Sequence, residues 1–532
     1  MSSADKKQNF LQGTALLAMA TAVVKVIGAL YKIPLNAIIG KEGFGYFNTA
    51  YVIYNVLLMI STAGLPVAMS RMISHASSLG HNNQVRRIYH TARGIFLGLG
   101  IAGTLLMTIF CQPLANWMEQ PNAWPAIACL GPCCLLICLM STYRGFFQGQ
   151  SNMLPTSISQ ILEAFTKLIV GIAAALIILK MTSSVPFAAG GAILGVTASC
   201  MVSAAYLFGR FRKSYHALEI SEDKPESFKA TAKGLMIIAI PITLGSAGLQ
   251  ILTMLESKIY MSNLLALGNT QAQADGMKGI YDMTLTIFNM PCAFITPVTI
   301  SIIPAITSLI AVGKTKETKA TEESAIRVTG LVAMPCAVGL ALLANPITSL
   351  IGGYQGEDLV LSTKLMTIFG ICVAFNALVL VTTAIMQAHG NVVRPVINML
   401  IGGVVKLVVI YILTANPLFG IVGTPIGTLL CYLTISILNL ISIRRLFEEP
   451  PALVKNLLRS VIAAAVMGGF VWLCSFGLEQ IGITSRLIRT GAPILVGVVV
   501  YLVAAIKFRA ITKEDCLLLP KGKKIAALLK LK

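Results

Sequence analysis

The chain has 532 residues, of which 56% are hydrophobic and only 12% are charged, and its mean hydropathy is +0.80. This composition excludes a soluble globular protein and is typical of a chain that crosses a membrane many times. The net charge of +20 does not indicate nucleic-acid binding, because the basic residues lie at the ends of apolar segments and not on a polar domain.

Fourteen apolar segments are long enough to cross a bilayer as helices. Their approximate limits are 12–39, 46–70, 92–111, 125–143, 157–179, 187–209, 234–262, 279–304, 327–344, 364–386, 396–414, 421–443, 456–478 and 488–508. The connections are short, and the longest polar one is Arg210–Lys233. The pattern predicts an all-α polytopic membrane protein with fourteen transmembrane helices.

The first segment, 12–39, carries Lys25 and Lys32 within an apolar run. A lysine in the middle of a membrane costs about 3 kcal/mol and normally faces a polar interior. The two lysines are two helical turns apart and share a face with Thr21 and Gly28. We interpret this segment as a helix with one side on lipid and the other on a hydrated, cationic cavity. The alternatives are lysines that snorkel to the interface and a buried ion pair.

Lysine and arginine in the connections indicate the orientation. If both termini are cytoplasmic, the cytoplasmic connections and ends hold 30 of these residues and the outer connections hold seven. The outer group includes Lys41, Lys258 and Lys278. The asymmetry supports an even number of spans and a basic cytoplasmic tail from Lys507 onward.

An internal repeat divides the chain. Gln148–Lys167 and Gln387–Lys406 each contain an Asn four residues after the Gln, then a proline, then a lysine nineteen residues after the Gln, and they are 239 residues apart. Two pseudo-symmetric six-helix lobes are expected, related by an axis along the membrane normal. They are an N-terminal lobe with its cytoplasmic linker, 1–233, and a C-terminal lobe, 234–447. Residues 448–532 add two helices and the basic tail.

Further polar residues in or beside the spans are expected to line the cavity between the lobes. They are Asn48, Asn55, Gln250, Glu256, Lys258, Asp282 and Lys406. With Lys25 and Lys32 included, cations outnumber carboxylates, and a low-dielectric cavity strengthens their field. An anion such as a phosphate or diphosphate is the natural ligand. Ordinary solvation at a loop edge is an equally simple interpretation of Asp282 and Lys258.

The fifth span carries Glu163 and Lys167 one turn apart, in the order that favours a structural ion pair. In the repeat, the counterpart Lys406 has Gly402 and Gly403 where its partner would lie. We therefore expect Lys406 to face the cavity or its mouth.

Catalytic and cofactor motifs are lacking from the sequence. The five histidines, His75, His81, His90, His216 and His389, are all predicted at cytoplasmic connections or span ends. There is no phosphate-binding loop, no dinucleotide motif and no large outer domain. The twelve cysteines lie almost wholly in apolar segments, so reduced thiols are expected and not a metal site. We expect no enzyme activity, no cofactor and no metal.

The architecture, the Lys25–Gly28 stretch KVIG and the Q-G-x-x-N block after the fourth span resemble a known group. It is the multidrug/oligosaccharidyl-lipid/polysaccharide exporter superfamily. Within it, the chain is similar to the polysaccharide-biosynthesis branch that contains stage V sporulation protein B and the lipid II flippases. The resemblance extends over about residues 10–510.

The resemblance implies alternating access and a lipid-linked precursor whose diphosphate enters the cavity while its polyprenyl tail stays toward lipid. It assigns the diphosphate to Lys25 and Lys32, matches Gln250, and implies that the two C-terminal helices form a groove for the tail. Asn289 stands where flippases of this kind carry a carboxylate, and no basic residue lies near Leu58. These departures favour the sporulation-protein-like branch.

Taken together, the residues and the resemblance predict a flippase of the bacterial cytoplasmic membrane for an undecaprenyl-diphosphate-linked cell-wall precursor, lipid II. Its partners would be that anionic lipid-linked glycan, membrane lipid and a coupling ion. Three alternatives stay open. They are a flippase for another lipid-linked glycan (a capsule, teichoic-acid or exopolysaccharide unit), a cation-coupled multidrug exporter of the same superfamily, and a non-transporting scaffold for wall synthesis.

Overall fold

The computed structural model describes residues 3–447, 450–508 and 510, and at 3–19, 22, 297–301 and 453–455 it describes the backbone alone. Within these residues the chain forms sixteen α-helices. They are α1 (Ser3–Thr62), α2 (Leu65–Ser78), α3 (Asn82–Ile109), α4 (Cys111–Trp117), α5 (Trp124–Gly149), α6 (Leu154–Thr182), α7 (Val185–His216), α8 (Phe228–Ala266), α9 (Gln271–Ala311), α10 (Thr315–Leu342), α11 (Ala344–Ile351), α12 (Gly356–Ala388), α13 (Val393–Thr414), α14 (Gly423–Leu446), α15 (Leu453–Gln480) and α16 (Arg486–Lys507).

The predicted all-α membrane fold is confirmed. Among the described residues, twelve helical stretches are long and apolar enough to cross a membrane. The count of fourteen stays a prediction, and the predicted basic tail from 511 to 532 lies outside the described residues. Apart from the first two, which both involve α1, each predicted span corresponds to one long helix and extends beyond it by no more than about two residues.

The helix α1 is a hairpin and not a single rod. Gly40 is its one residue with non-helical backbone angles (φ 70°, ψ 178°), a region that glycine adopts without steric cost. Lys32 Nζ donates a hydrogen bond to Asn48 Oδ1 at 3.3 Å across this point. In a straight helix, sixteen residues span about 24 Å. The contact therefore requires α1 to fold back at Gly40, which gives the two crossings predicted for 12–39 and 46–70.

The internal repeat recurs in the structure as two short helices. The third predicted span of each half lies in a helix of 28 residues, α3 or α10. Each of these helices is followed almost directly by a short one, α4 or α11. Spans of seven and eight residues are too short to cross a membrane, so neither belongs to the predicted set.

Each half also ends in a segment that folds back onto its third long helix. Gln84 Oε1 at the start of α3 accepts a hydrogen bond from the backbone N–H of Glu226 at 2.8 Å. Glu323 Oε1 near the start of α10 accepts one from the backbone N–H of Ala452 at 3.1 Å. An equivalent hydrogen bond thus forms after the sixth predicted span of each half.

The described chain divides into two compact units, Met1–Gly279 and Ile280–Lys532. In the first, α6 and α7 pack closely together, and α8 packs against α1, α2 and α3. In the second, α10 packs on α12 and α15, α13 packs on α14, and α15 packs on α16. The boundary between the units falls inside α9, whereas the predicted lobe boundary lies between 233 and 234; the lobes themselves stay a prediction.

Candidate substrate-binding site

The first crossing of α1 has three faces. One face is buried in the first unit and carries Ile27, Tyr31 and Leu35. A second face is apolar and exposed, and carries Val23, Val26 and Leu30. The third carries the predicted binding residues Thr21, Lys25, Gly28 and Lys32, of which the first two are exposed and the last two half-buried. At 100° per residue, the polar and the exposed apolar faces lie on roughly opposite sides of the helix.

Lys25 is exposed and has no hydrogen-bond or ion-pair partner among the residues that the structure describes. It is therefore not part of a buried ion pair with any of them, which was one of the alternative interpretations. Lys32 is half-buried, lies 5.9 Å from the centroid of the Phe44 ring, and donates to the Asn48 amide. The neutral Asn48 amide thus helps to orient the Lys32 ammonium group.

The remaining predicted residues of the first unit lie on α1 and α8. Asn48 is buried and donates to the Phe44 carbonyl at 2.8 Å, and Asn55 is half-buried. On α8, Gln250 is half-buried and Glu256 is buried.

Lys258 on α8 is engaged elsewhere. It forms an ion pair with Glu119, which follows α4, and its Nζ lies 5.9 Å from the Trp117 ring centroid. The pair binds the end of α8 to the short helix α4. A role of Lys258 in substrate binding stays a prediction.

Three predicted residues belong to the second unit. Asp282 is buried on α9, close to the residue at which the second unit begins. Asn289 is exposed on the same helix, and Lys406 is half-buried on α13. Their membership of a common site with the lysines of α1 stays a prediction.

The ion pair predicted within α6 does not form as expected. Glu163 instead pairs with Arg144 of α5, with 3.1 Å between Nη2 and Oε2, and Arg144 also donates to Ser159 Oγ. Lys167 lies with its Nζ 5.5 Å from the centroid of the Tyr31 ring. Glu163 pairs with a residue of the neighbouring helix because the Arg144 guanidinium forms directed hydrogen bonds with both Glu163 and Ser159.

A cluster of buried polar residues was not predicted from the sequence. Asp275 and Lys278 in the first turns of α9 are both fully buried, although Lys278 was counted in an outer connection. The Asp275 carboxylate accepts hydrogen bonds from Gln120, Gln271 and Tyr46 at 2.8, 3.0 and 3.1 Å. Nothing in the local sequence indicates this burial, because the partners come from α1, from α9 itself and from the turn before α5.

No three His, Cys, Asp or Glu side chains among the described residues are placed to hold a metal ion together. On α1, the donors that could contact a small anion are lysine, amide and hydroxyl groups.

An apolar groove of about 550 Å³ lies in the second unit between α10, α12 and α15. Its lining includes Met334, Val338, Ile371, Ala464, Gly468 and Trp472. None of the described residues that line it is charged. The resemblance led us to expect a groove formed by both C-terminal helices, but only α15 contributes to this one.

Two relatives from Bacillus subtilis (strain 168) match most of the chain. Stage V sporulation protein B is 24% identical over 520 residues, which cover 97% of this chain and 98% of the relative. Lipid II flippase MurJ is 23% identical over 480 residues, which cover 86% of this chain and 87% of the relative.

Two solved structures share the fold. One is titled lipid II flippase MurJ in an inward closed conformation; its TM-score is 0.69 at 15% identity, and the match covers 93% of this chain and 99% of that one. The other is an inward-facing multidrug resistance MATE family transporter of the MOP superfamily, with a TM-score of 0.63 at 14% identity, covering 80% and 97%. The expectation that the chain is not an enzyme agrees with these relatives, whose names are those of flippases and transporters.

The family comparison agrees with the predicted resemblance. Residues 10–310, more than half of the chain, match the family described as polysaccharide biosynthesis protein. The chain therefore belongs to the polysaccharide biosynthesis protein family, within the fold of the MOP superfamily transporters.

Proposed function

We propose that the protein is a flippase that moves an undecaprenyl-diphosphate-linked cell-wall precursor, lipid II, across the bacterial cytoplasmic membrane. The observation that carries the proposal is Lys25, which is exposed within an apolar helix and has no partner among the described residues. A lone ammonium group at this depth costs about 3 kcal/mol unless water or an anion receives it. A diphosphate that enters from the polar side of α1 would remove that cost.

The two exposed faces of α1 fit a lipid-linked anion. Val23, Val26 and Leu30 can lie against acyl chains, while Lys25 and Lys32 on the other side offer two point charges about 10 Å apart along the helix axis. A diphosphate carries several acceptor oxygens, and charge-assisted hydrogen bonds to them are about twice as strong as neutral ones.

The groove between α10, α12 and α15 is suited to the lipid tail. It is mostly apolar, and its volume of about 550 Å³ can hold part of a polyprenyl chain. A long apolar chain needs no directed contacts, because burial alone stabilises it.

The orientation belongs to the same proposal. The excess of lysine and arginine in alternate connections supports cytoplasmic termini, and the substrate would be taken up from the cytoplasmic leaflet. Movement would be a rocking of the two halves, with a coupling ion or the membrane potential biasing its direction.

A second candidate is a flippase for another lipid-linked glycan, such as a capsule, teichoic-acid or exopolysaccharide unit. It is favoured by Asn289, an exposed neutral residue where lipid II flippases carry a carboxylate, and by the similarity to stage V sporulation protein B. Expression in cells depleted of their own lipid II flippase separates the two. Growth supports lipid II, and lysis supports another glycan.

A cation-coupled drug exporter is the less suitable function. A cationic drug needs carboxylates in its binding site, and α1 presents lysines. Drug-resistance profiles on overexpression test this, and a raised tolerance of cationic dyes would favour the exporter. A non-transporting scaffold predicts in addition that replacing the lysines changes nothing.

The decisive test is a lipid II accessibility assay with Lys25→Gln and with Lys25→Gln combined with Lys32→Gln. Loss of one charge-assisted hydrogen bond costs about 1.5–3 kcal/mol, so flipping should fall roughly tenfold or more for the single variant. Lys180→Gln is the matched control, an exposed lysine at the end of α6, and should flip normally. Unaltered flipping by the double variant would remove the assigned site.

A further inference from the structure

His389 and Glu322 form a hydrogen-bonded pair that the proposed transport route does not use. His389 Nε2 lies 2.6 Å from Glu322 Oε1. Glu322 on α10 is 1% exposed, while the side chain of His389, directly after α12, is 25% exposed. A buried carboxylate is costly unless a positive charge or hydrogen bonds compensate it. The histidine thus joins a buried acid to the predicted cytoplasmic solvent.

Several elements meet at this histidine. Thr307 Oγ1 of α9 donates to the carbonyl of Ala388, the neighbour of His389, at 3.2 Å. The Phe447 ring, in the segment after α14, stacks on the imidazole with 3.9 Å between centroids. His389 and the residue before it thus contact α9, α10 and this segment.

The His389–Glu322 pair occurs in the second half of the repeat and has no titratable counterpart at the repeat offset in the first half. The positions 239 residues earlier are Gln150 and Asn83. Neither changes its charge with pH, and Asn83 donates to the carbonyls of Ser221 and Asp223. At the sequence offset of the repeat, the first half thus has two neutral residues where the second half has a titratable pair.

We propose that His389 and Glu322 form a proton-binding site that fastens α10 to the end of α12 when cytoplasmic pH is low and loosens this contact when it rises. Histidine is the side chain whose charge ordinarily changes between pH 5 and 8. A proton from cytoplasmic water binds the imidazole and makes the hydrogen bond an ion pair, and its return to water leaves a neutral imidazole against a buried carboxylate. That transport responds to this change rests on the flippase function proposed above.

Charged side chains also lie on the elements that pack around the pair. They are Lys319, Glu323 and Arg327 on α10, Arg394 on α13 and Arg459 on α15. Arg327 Nη1 donates a hydrogen bond to Asn456 Oδ1 at 3.2 Å, and Glu323 Oε1 accepts one from the backbone N–H of Ala452. These two side chains therefore have hydrogen-bond partners on or just before α15.

The experiment is hydrogen–deuterium exchange of the purified full-length protein in nanodiscs at pH 6 and pH 8, corrected for intrinsic rates. Peptides spanning 315–325 and 385–391 should exchange about fivefold faster at pH 8 in the wild type, because a charged hydrogen bond is stronger than a neutral one. In His389→Gln they should exchange fast at both pH values. In His389→Lys, which keeps its charge, they should exchange slowly at both.

His90→Gln is the matched control, since His90 is the histidine of the first half that bonds a tyrosine, Tyr215. It should keep the wild-type pH step in the two peptides. Equal pH steps in wild type, His389→Gln and His389→Lys would overturn the proposal.

The flipping assay on the same wild-type sample separates this proposal from the proposed function. A pH step in exchange without flipping of any lipid-linked glycan leaves the proton site standing and refutes the flippase. Flipping without a pH step refutes the proton site and leaves the flippase standing.

Discussion

Ser151 and Gly390 occupy the same left-handed position in two identical helix-ending turns, one in each half of the chain. Their φ angles are 60° and 80°. In each turn the following asparagine donates its backbone N–H to the carbonyl five residues earlier, Asn152 to Phe147 at 2.9 Å and Asn391 to Met386 at 3.0 Å. This is the bond pattern of a Schellman motif, in which glycine is preferred at the left-handed position.

Substitutions at this position should therefore have opposite effects in the two halves. Gly390→Ala should lower the free energy of unfolding by about 1 kcal/mol, because alanine pays the steric cost of positive φ. Ser151→Gly should raise it by up to about 1 kcal/mol. Thermal unfolding midpoints of the detergent-purified variants measure both.

The cost at Gly390 is expected to come from the backbone alone, since no described atom lies within 4 Å of an added methyl group. Gly94→Ala in α3 is the control. Its site is equally open but has no positive φ, so alanine should be neutral or stabilising there. Equal losses for Gly390→Ala and Gly94→Ala would contradict the assignment.

The close packing of α6 and α7 depends on Gly195. A methyl group added there would collide with the backbone of Gly171 and Val170, which cannot move aside as a flexible side chain can. Small residues that let membrane helices approach closely are a general feature of such contacts. Gly195→Ala should reduce stability by about 3 kcal/mol, at the high end for a single substitution.

Gly209→Ala on the same helix provides the comparison, because no described atom lies within 4 Å of its added methyl group. It should leave the unfolding midpoint unchanged. A similar midpoint for Gly195→Ala would show that the two helices can separate at little cost.

Asp275 should contribute more to the free energy of unfolding than the partly exposed ion pair between Lys258 and Glu119. Asp275→Ala leaves two buried donors, Tyr46 and Gln120, and the half-buried Gln271 without this acceptor, and is expected to cost about 3 kcal/mol or more. Lys258→Met breaks a partly exposed pair with Glu119 and should cost about 1 kcal/mol or less. Denaturation midpoints of the two variants compare a buried network with a partly exposed ion pair, and a larger loss for Lys258→Met would contradict the burial of Asp275.

Asp223 fastens the segment after α7 to the start of α3. Its carboxylate accepts hydrogen bonds from the backbone N–H groups of Asn83 and Gln84 at 3.1 and 2.9 Å, and from Ser221 Oγ. Desolvation acts to raise the pKa of Asp223, but these hydrogen bonds outweigh it and hold the pKa below its usual value. Negative charge is also favoured at a helix N-terminus.

A carboxyl whose pKa is lowered by folding stabilises the fold fully above its unfolded pKa of about 3.9 and loses this effect as pH falls through the folded value. The docking of 217–227 should thus be independent of pH from 8 to 5 and fail only below about pH 4. Asp223→Asn should speed hydrogen exchange in 82–86 roughly tenfold at pH 7, and Glu222→Gln, an exposed neighbour, should not. Loss of docking near pH 6 would contradict this.

Hydropathy and length were sufficient to locate the membrane helices, because a bilayer imposes one length and one composition on every crossing. They did not reveal α4 and α11, which are too short to produce that signal. The repeat was visible in the Gln148 and Gln387 blocks, since the turns that follow them share an asparagine, Asn152 or Asn391, whose backbone N–H closes the turn in each half.

The site was predicted less completely. The polar face of α1 followed from helical spacing alone, because Lys25 and Lys32 differ so strongly from their apolar neighbours. The partner of Glu163 and the burial of Lys278 did not follow, since both depend on residues distant in sequence. Local spacing identifies which side chains share a face, and only tertiary packing decides what covers that face.

The fold-back at Gly40 leaves hardly any loop between the first two membrane crossings. Two helices meet at one residue, and Lys32 and Asn48 join them eight positions to either side. An epitope tag or protease site inserted at 40 would push these partners apart and damage the lysine-bearing helix. A reporter of membrane sidedness is better placed at 267–270, between α8 and α9, where an insertion leaves the α1 hairpin intact.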